Sequence, residues 1–371
     1  MELDLYRTLV RPLLFSCDAE WIHNRTLDAG AALGATPVGR VLLRALFEYN
    51  HPSLHCTVAG LHFANPLGLA AGFDKNGRAV RALDALGFGS VEVGSVSAYP
   101  SVGNAKPRLF RLPADEAIIV NYGVPNGGAQ AVSQRIHKRS TDGPLGVNLV
   151  ETNTGQGLED DAVIEEFVEA VRPFCSKVDY VTLNLNCPNT TGGSSPFDSP
   201  DVLRTLMLEY GRIRDLPPVF LKFTAHADGH RMEHTLSAIE GCSFVRGFIF
   251  NLPPGANYPL RSPAHVVEPR PGTLCGPPTQ DQMNKALRFW YRHIDRQRHV
   301  IIGSGGVRTA EDAYEKIRLG ASLVQIYTAL VYRGPGLVQQ INRGLVRLLE
   351  RDGLEAIGQA VGLDNDRPQA L

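Results

Sequence analysis

Val178-Asp179-Tyr180-Val181-Thr182-Leu183 runs directly into Asn184-Leu185-Asn186-Cys187-Pro188-Asn189, and that into Thr190-Thr191-Gly192-Gly193-Ser194-Ser195. The first six residues are mostly apolar, as a buried strand requires. The last six are small and polar and read as loop. Three amides and a thiol therefore stand where a buried strand opens. Each Asn side chain both donates and accepts, so three of them can read a small planar molecule rich in C=O and N–H groups. A thiol among them can act as base or nucleophile once ionised. A plain turn would use Asn and Pro for conformation alone, and would need neither the further amides nor the cysteine.

Working outward, the same pattern recurs. Short apolar runs at 67–71, 90–94, 145–149, 180–184, 219–223, 247–251, 300–303 and 323–327 are candidate strands, and 161–171, 201–214, 280–294 and 310–319 are helical stretches between several of them. Eight such runs predict a (β/α)8 TIM barrel with its site at the C-terminal strand ends. A doubly wound open sheet is the alternative, but no GxGxxG follows the first strand.

Residues 1–50 differ, and predict a small N-terminal helical extension ahead of a barrel spanning 51–371. Leu5, Leu9, Leu13 and Leu14 share a helical face, Asp18 can cap a second helix, and Thr36-Pro37 opens a third. Such amphipathic helices form either a packing lid or an anchor lying among lipid headgroups. The segment is not basic, with five Arg against six Asp and Glu. If it is an acceptor channel, Leu9, Leu13, Trp21, Leu42 and Phe47 are expected to line its apolar mouth.

Composition narrows the function. A net charge of −1 over 371 residues argues against a nucleic-acid-binding surface. Cys17, Cys56, Cys175, Cys187, Cys242 and Cys275 are scattered, with no CxxC and no His/Cys cluster, which suits a reduced compartment and no metal site. No signal peptide is visible, and no apolar run approaches the ~20 residues that span a bilayer.

The strand ends carry the polar residues. The first ends in Ala70-Ala71-Gly72-Phe73-Asp74-Lys75, where small residues let a flat ring approach the backbone and Lys75 supplies a cation. The second ends in Gly94-Ser95, the third carries Asn148 and the sixth ends at Asn251. Lys222 lies inside the fifth run, where an unpaired ammonium is costly; a flavin ring acceptor or an internal carboxylate would serve as its partner. Gly305-Gly306 after the seventh and Tyr327-Thr328 at the eighth match the usual phosphate site of such barrels, with Gly276 adding backbone donors.

Several of these stretches together resemble a known family. Asn65-Pro66-Leu67-Gly68-Leu69-Ala70-Ala71-Gly72-Phe73-Asp74-Lys75, Gly103-Asn104-Ala105-Lys106-Pro107-Arg108-Leu109-Phe110-Arg111-Leu112, Gly320 to Tyr327 and the opening hexapeptide are similar to dihydroorotate dehydrogenases. The helical extension resembles class 2, the quinone-reducing branch of pyrimidine biosynthesis. The resemblance implies FMN held by Ala71, Gly72, Ser95, Asn148, Asn184, Lys222, Gly276, Gly305, Gly306, Tyr327 and Thr328. It implies orotate contacts from Lys75, Asn184, Asn189 and Asn251, with Cys187 as the base that takes a proton from dihydroorotate. It further implies quinone as electron acceptor, and a peripheral protein attached to the cytoplasmic face of the cell membrane through its N-terminal helices. The chain departs from the pattern in four places. Cys187 stands where class 2 has Ser, Val120 where the family has a substrate-binding Asn (with Asn121 beside it), Leu252 where it has a hydroxyl residue, and Val150-Glu151 where it has Gly-Lys. These departures leave a paralogue acting on another small ring as a rival. A flavin-free barrel binding a phosphorylated ligand, or a non-catalytic membrane-bound partner, is a second.

Overall fold

The computed structural model describes residues 5–156, 158–187, 195–253 and 258–365. Eight parallel strands close into a barrel in chain order: β1 Leu67–Leu69, β2 Ser90–Val96, β3 Leu145–Leu149, β4 Tyr180–Asn184, β5 Val219–Thr224, β6 Val245–Asn251, β7 Val300–Gly303 and β8 Ala321–Ile326. Each lies within two residues of its expected place. The helices Asp160–Val171, Pro200–Gly211, Gln280–His293 and Ala310–Arg318 pack around them.

Alternate residues of a strand face the same side, so the inward side chains stack in layers. At the N-terminal end Tyr180, Phe220, Ile249, Ile302 and Leu323 form an apolar plug. A hairpin of Cys56–Val58 and Leu61–Phe63 closes it from below with Val58 and Phe63. Gly146 is required here, because a Cβ would lie 2.2 Å from the Tyr180 ring. One step up, Glu92, Thr182 and Gln325 form a buried polar layer. Above that the strands open.

Two additions cover the opening. Leu109–Leu112, Ala117–Val120 and Thr273–Cys275 make a three-stranded antiparallel sheet. Helices α1 Arg11–Phe15, α2 Ala19–Ala35 and α3 Pro37–Phe47 lie beside it, with a π-helical turn at Tyr6–Val10 leading into α1. Asp18 caps α2 by accepting from the Trp21 amide at 2.8 Å, and Thr36 caps α3 by accepting from the Gly39 amide at 3.0 Å. The Arg108 guanidinium ties α2 to the barrel through Glu20, at 2.8 and 3.1 Å.

Candidate active site

A cavity of about 210 Å3 occupies the C-terminal mouth of the barrel. Ala71, Gly72, Lys75, Ser95, Asn184, Cys187, Lys222, Asn251, Gly276, Gly305, Gly306, Tyr327 and Thr328 all line it. Residues from seven strand ends are thus brought together. Asn148 is fully buried behind this wall, where its Oδ1 accepts from the Ser95 hydroxyl at 2.5 Å. Asn189 lies outside the described residues.

The polar groups divide into satisfied and waiting. Lys75 Nζ donates to the Gly72 carbonyl at 2.7 Å and sits 3.7 Å from the centre of the Tyr122 ring. Burial lowers its pKa to about 8. Asn251 Nδ2 donates to Asn184 Oδ1 and to the Asn186 carbonyl, both at 2.6 Å, which leaves the Asn251 oxygen for a ligand. Lys222 makes no hydrogen bond or ion pair among the described residues. Gln325 Oε1 is buried without a partner among them. A second thiol, Cys275, also lines the cavity. Burial pushes its pKa up to about 12 against the opposing pull of Lys222, so it stays protonated at neutral pH.

The glycine loop after β7 has no room for side chains. With φ near +80° at both positions, a Cβ on Gly305 would lie 2.7 Å from Met283 Cγ, and one on Gly306 2.5 Å from Gln280 Cβ. The loop therefore lies directly on the helix Gln280–His293. Val120 and Leu252 do face the cavity. Asn121 does not make good the amide absent at 120: it does not line the cavity, and its Oδ1 accepts from Asn104 Nδ2 at 3.0 Å.

A second cavity, about 310 Å3, lies between the N-terminal helices and the barrel. Its walls are apolar, with Leu14, Phe15, Ile22, Leu43, Phe47 and Leu330 prominent. Of the five residues expected at an apolar mouth, only Phe47 lines it. Leu9, Leu13, Trp21 and Leu42 face outward, 58, 72, 55 and 52 % exposed. The helices carry two apolar stripes, and these four belong to the outer one.

Arg111 and His23 are among the polar side chains that break the second cavity's lining. Arg111 donates to the carbonyls of Leu14 and Phe15 at 3.2 and 3.3 Å and to that of Cys17. His23 Nε2 donates to the Phe73 carbonyl at 2.8 Å, which fixes its tautomer, because a carbonyl only accepts. Burial, with Lys75 nearby, lowers the His23 pKa to about 3 and keeps the ring neutral. Tyr327 lines both cavities, and Phe73 meets it edge-on at 5.6 Å.

The family model of dihydroorotate dehydrogenase matches residues 53–349, the barrel that carries this site. The chain belongs to the dihydroorotate dehydrogenase family. A dihydroorotate dehydrogenase (quinone) of Roseiflexus sp. (strain RS-1) is 38% identical over 361 residues, covering 96% of this chain and 97% of that protein. One from Natronomonas pharaonis is 37% identical, covering 98% and 100%. The crystal structure of ligand-free DHODH from Eimeria tenella superposes with a TM-score of 0.80 at 29% identity, covering 94% of this chain and 99% of that one. Dihydroorotate dehydrogenases work with a flavin, and the groups left waiting here fit one. The Lys222 ammonium suits a ring oxygen or nitrogen, and Gln325 Oε1 suits a ring N–H. The glycine loop and Thr328 suit a phosphate.

Proposed function

We propose that this protein oxidises dihydroorotate to orotate with FMN as cofactor and passes the electrons to a quinone. The observation that carries the reading is the meeting of two unlike cavities at one side chain, Tyr327. The polar one suits a charged pyrimidine and the edge of a flavin. The apolar one suits a quinone head and its tail.

Residues 51–371 are then the FMN-binding barrel, with the phosphate at Gly305, Gly306, Tyr327 and Thr328, backed by Gly276. Ala71, Gly72, Ser95 and Asn184 flank the ring, and Asn148 supports Ser95 from behind. Lys75 pairs with the substrate carboxylate, and Asn184, Asn189 and Asn251 hold the ring N–H and C=O groups, which supplies orientation. Cys187, as thiolate, takes the proton from C5. Bound FMN supplies the hydride acceptor for C6. The Lys222 ammonium favours negative charge on the ring beside it. Cys187 replaces the usual Ser without change of role, since both remove a proton through one side-chain atom.

Residues 1–50 form the quinone channel and the membrane attachment. Ten of the thirteen large apolar residues exposed among the described residues lie between Leu5 and Leu46. That density in one segment supports an interfacial mode of binding. No helix among the described residues is long and apolar enough to cross a membrane. None of the six cysteines is in a disulfide, which suits attachment at the cytoplasmic face. Anaerobic addition of dihydroorotate to purified protein should bleach the flavin band, and a soluble quinone should restore it. Flavin released by acid should be FMN. A colourless protein, or a flavin that dihydroorotate leaves oxidised, would contradict the reading.

A further inference from the structure

Glu92 is fully buried on β2, one layer below the cavity, and the reaction above gives it no part. Donors converge on both of its oxygens. Asn148 Nδ2 reaches one at 2.9 Å, while Thr182 Oγ1 and Gln325 Nε2 reach the other at 3.1 and 2.8 Å. The Tyr180 phenol lies close to the same carboxylate. No cation pairs with it among the described residues. A buried charge of this kind is tolerated only when its surroundings satisfy it.

A carboxylate only accepts, so both amides must turn their NH2 groups toward it. Asn148 then points its carbonyl outward, where it receives the Ser95 hydroxyl at 2.5 Å. The Ser95 oxygen in turn accepts from Asn184 Nδ2 at 3.4 Å, and Asn184 Oδ1 from Asn251 Nδ2 at 2.6 Å. At the far end the Asn186 carbonyl, another pure acceptor, holds Asn251 in the matching sense at 2.6 Å. The two anchors meet at Ser95, whose single proton must point down to Asn148.

We infer that Glu92 is a positioning residue that fixes the inner end of the relay Glu92–Asn148–Ser95–Asn184–Asn251, as the Asn186 carbonyl fixes its outer end, so that the amides at the substrate keep one fixed pattern of donors and acceptors. This rests on the proposed function, which takes Asn184 and Asn251 as the amides that hold the pyrimidine. Glu92→Gln keeps the shape but sets a new NH2 group against that of Asn148 or that of Gln325. Asn148 or Gln325 must then turn over or lose its bond. Asn148 turned over leaves Ser95 with a donor on each side and no acceptor for its proton. Adding Asn148→Asp moves the carboxylate one place along the relay. There it again receives the Ser95 proton, and it also accepts from the new amide at 92.

Titration of the flavin-loaded enzyme with orotate, read from the flavin absorbance, tests this. E92Q is expected to weaken orotate about tenfold, the scale of one hydrogen bond. E92Q with N148D is expected to return to within about threefold of wild type, since neighbours in one network couple. Unchanged orotate affinity in E92Q overturns the inference. So does a double variant no better than E92Q, because a purely structural carboxylate would gain nothing from N148D. If E92Q does not fold, Ser95→Ala cuts the same relay at its middle. A loss of about tenfold in orotate affinity with flavin affinity unchanged supports the inference; no loss, or an equal loss of flavin, overturns it. A wild-type enzyme that is bleached by dihydroorotate but whose E92Q variant binds orotate normally loses the relay alone. One that dihydroorotate does not bleach loses the proposed function, and the relay with it.

Discussion

The cavity in the barrel mouth is walled by strand ends, and its neighbour largely by helix faces. In the first, sheet register decides which side chains meet: Asn184 stands opposite Lys222, and Asn148 opposite both Gly94 and Thr182. Its contacts are directional hydrogen bonds that fail when one atom is misplaced. In the second, α1 to α3 contribute apolar surface whose attraction depends on area and hardly on angle. Polar geometry suits a substrate that must be held still for proton and hydride removal. Apolar area suits a carrier that must come and go. Changes in the first cavity should therefore act steeply on one half-reaction, and changes in the second more gently on the other.

The largest effect is expected at Cys187. Cys187→Ala should slow flavin reduction by dihydroorotate at least ~100-fold, the lower scale for losing a general base. Reoxidation by quinone of chemically reduced flavin should hardly move. Equal slowing of both would place Cys187 in the fold rather than the chemistry.

A smaller effect follows from Lys75, whose pKa burial depresses to about 8. The ammonium form, which the proposed function pairs with the substrate carboxylate, is present below that pH and lost above it. Orotate affinity should thus fall as pH rises through about 8, by up to about tenfold per unit. In the ligand-free protein the sign is opposite, since the buried ammonium is a strain relieved as pH climbs from about 8 toward 10.5. Isothermal titration with orotate across this range checks it; an affinity flat with pH would mean that Lys75 does not meet the carboxylate.

How much of this contrast was legible in the sequence depends on which force wrote it. Buried parallel strands leave unbroken apolar runs, so all eight could be placed, and the polar residues ending them pointed to the mouth. Lys222 stood out because a charge inside such a run needs a reason. The same signal marks Glu92 and Gln325 inside the second and eighth runs. The strands of three and four residues in the floor hairpin and the covering sheet were missed, being too short for a periodic signal. The second cavity was least legible. An apolar stripe shows that a helix face is covered, without showing what covers it. Leu42 and Leu43 are neighbours in sequence, yet one faces outward and the other lines the second cavity.

The smallest effect concerns stability and sharpens the contrast from the channel side. His23 is held neutral with a pKa of about 3, below the ordinary 6.5, chiefly by burial. A depressed histidine contributes stability that is complete above about 6.5 and is lost as pH falls toward 3. His23→Gln should therefore flatten the acid limb of a plot of melting temperature against pH. An unaltered limb would place the acid sensitivity elsewhere, for instance at His299, which burial shifts in the same direction.

The central claim is that the two cavities serve separate half-reactions joined through Tyr327. Ala29 lines the second cavity from an exposed position on α2, so Ala29→Trp can fill that cavity at little cost to the core. Stopped-flow absorbance at the flavin band, with each half-reaction run alone on this variant, is the most direct measurement. Reduction by dihydroorotate is expected to stay within about twofold of wild type, while reoxidation by quinone slows about tenfold, the worth of ~1.4 kcal/mol of lost apolar contact. Reoxidation at the wild-type rate, or reduction slowed as much as reoxidation, would contradict it.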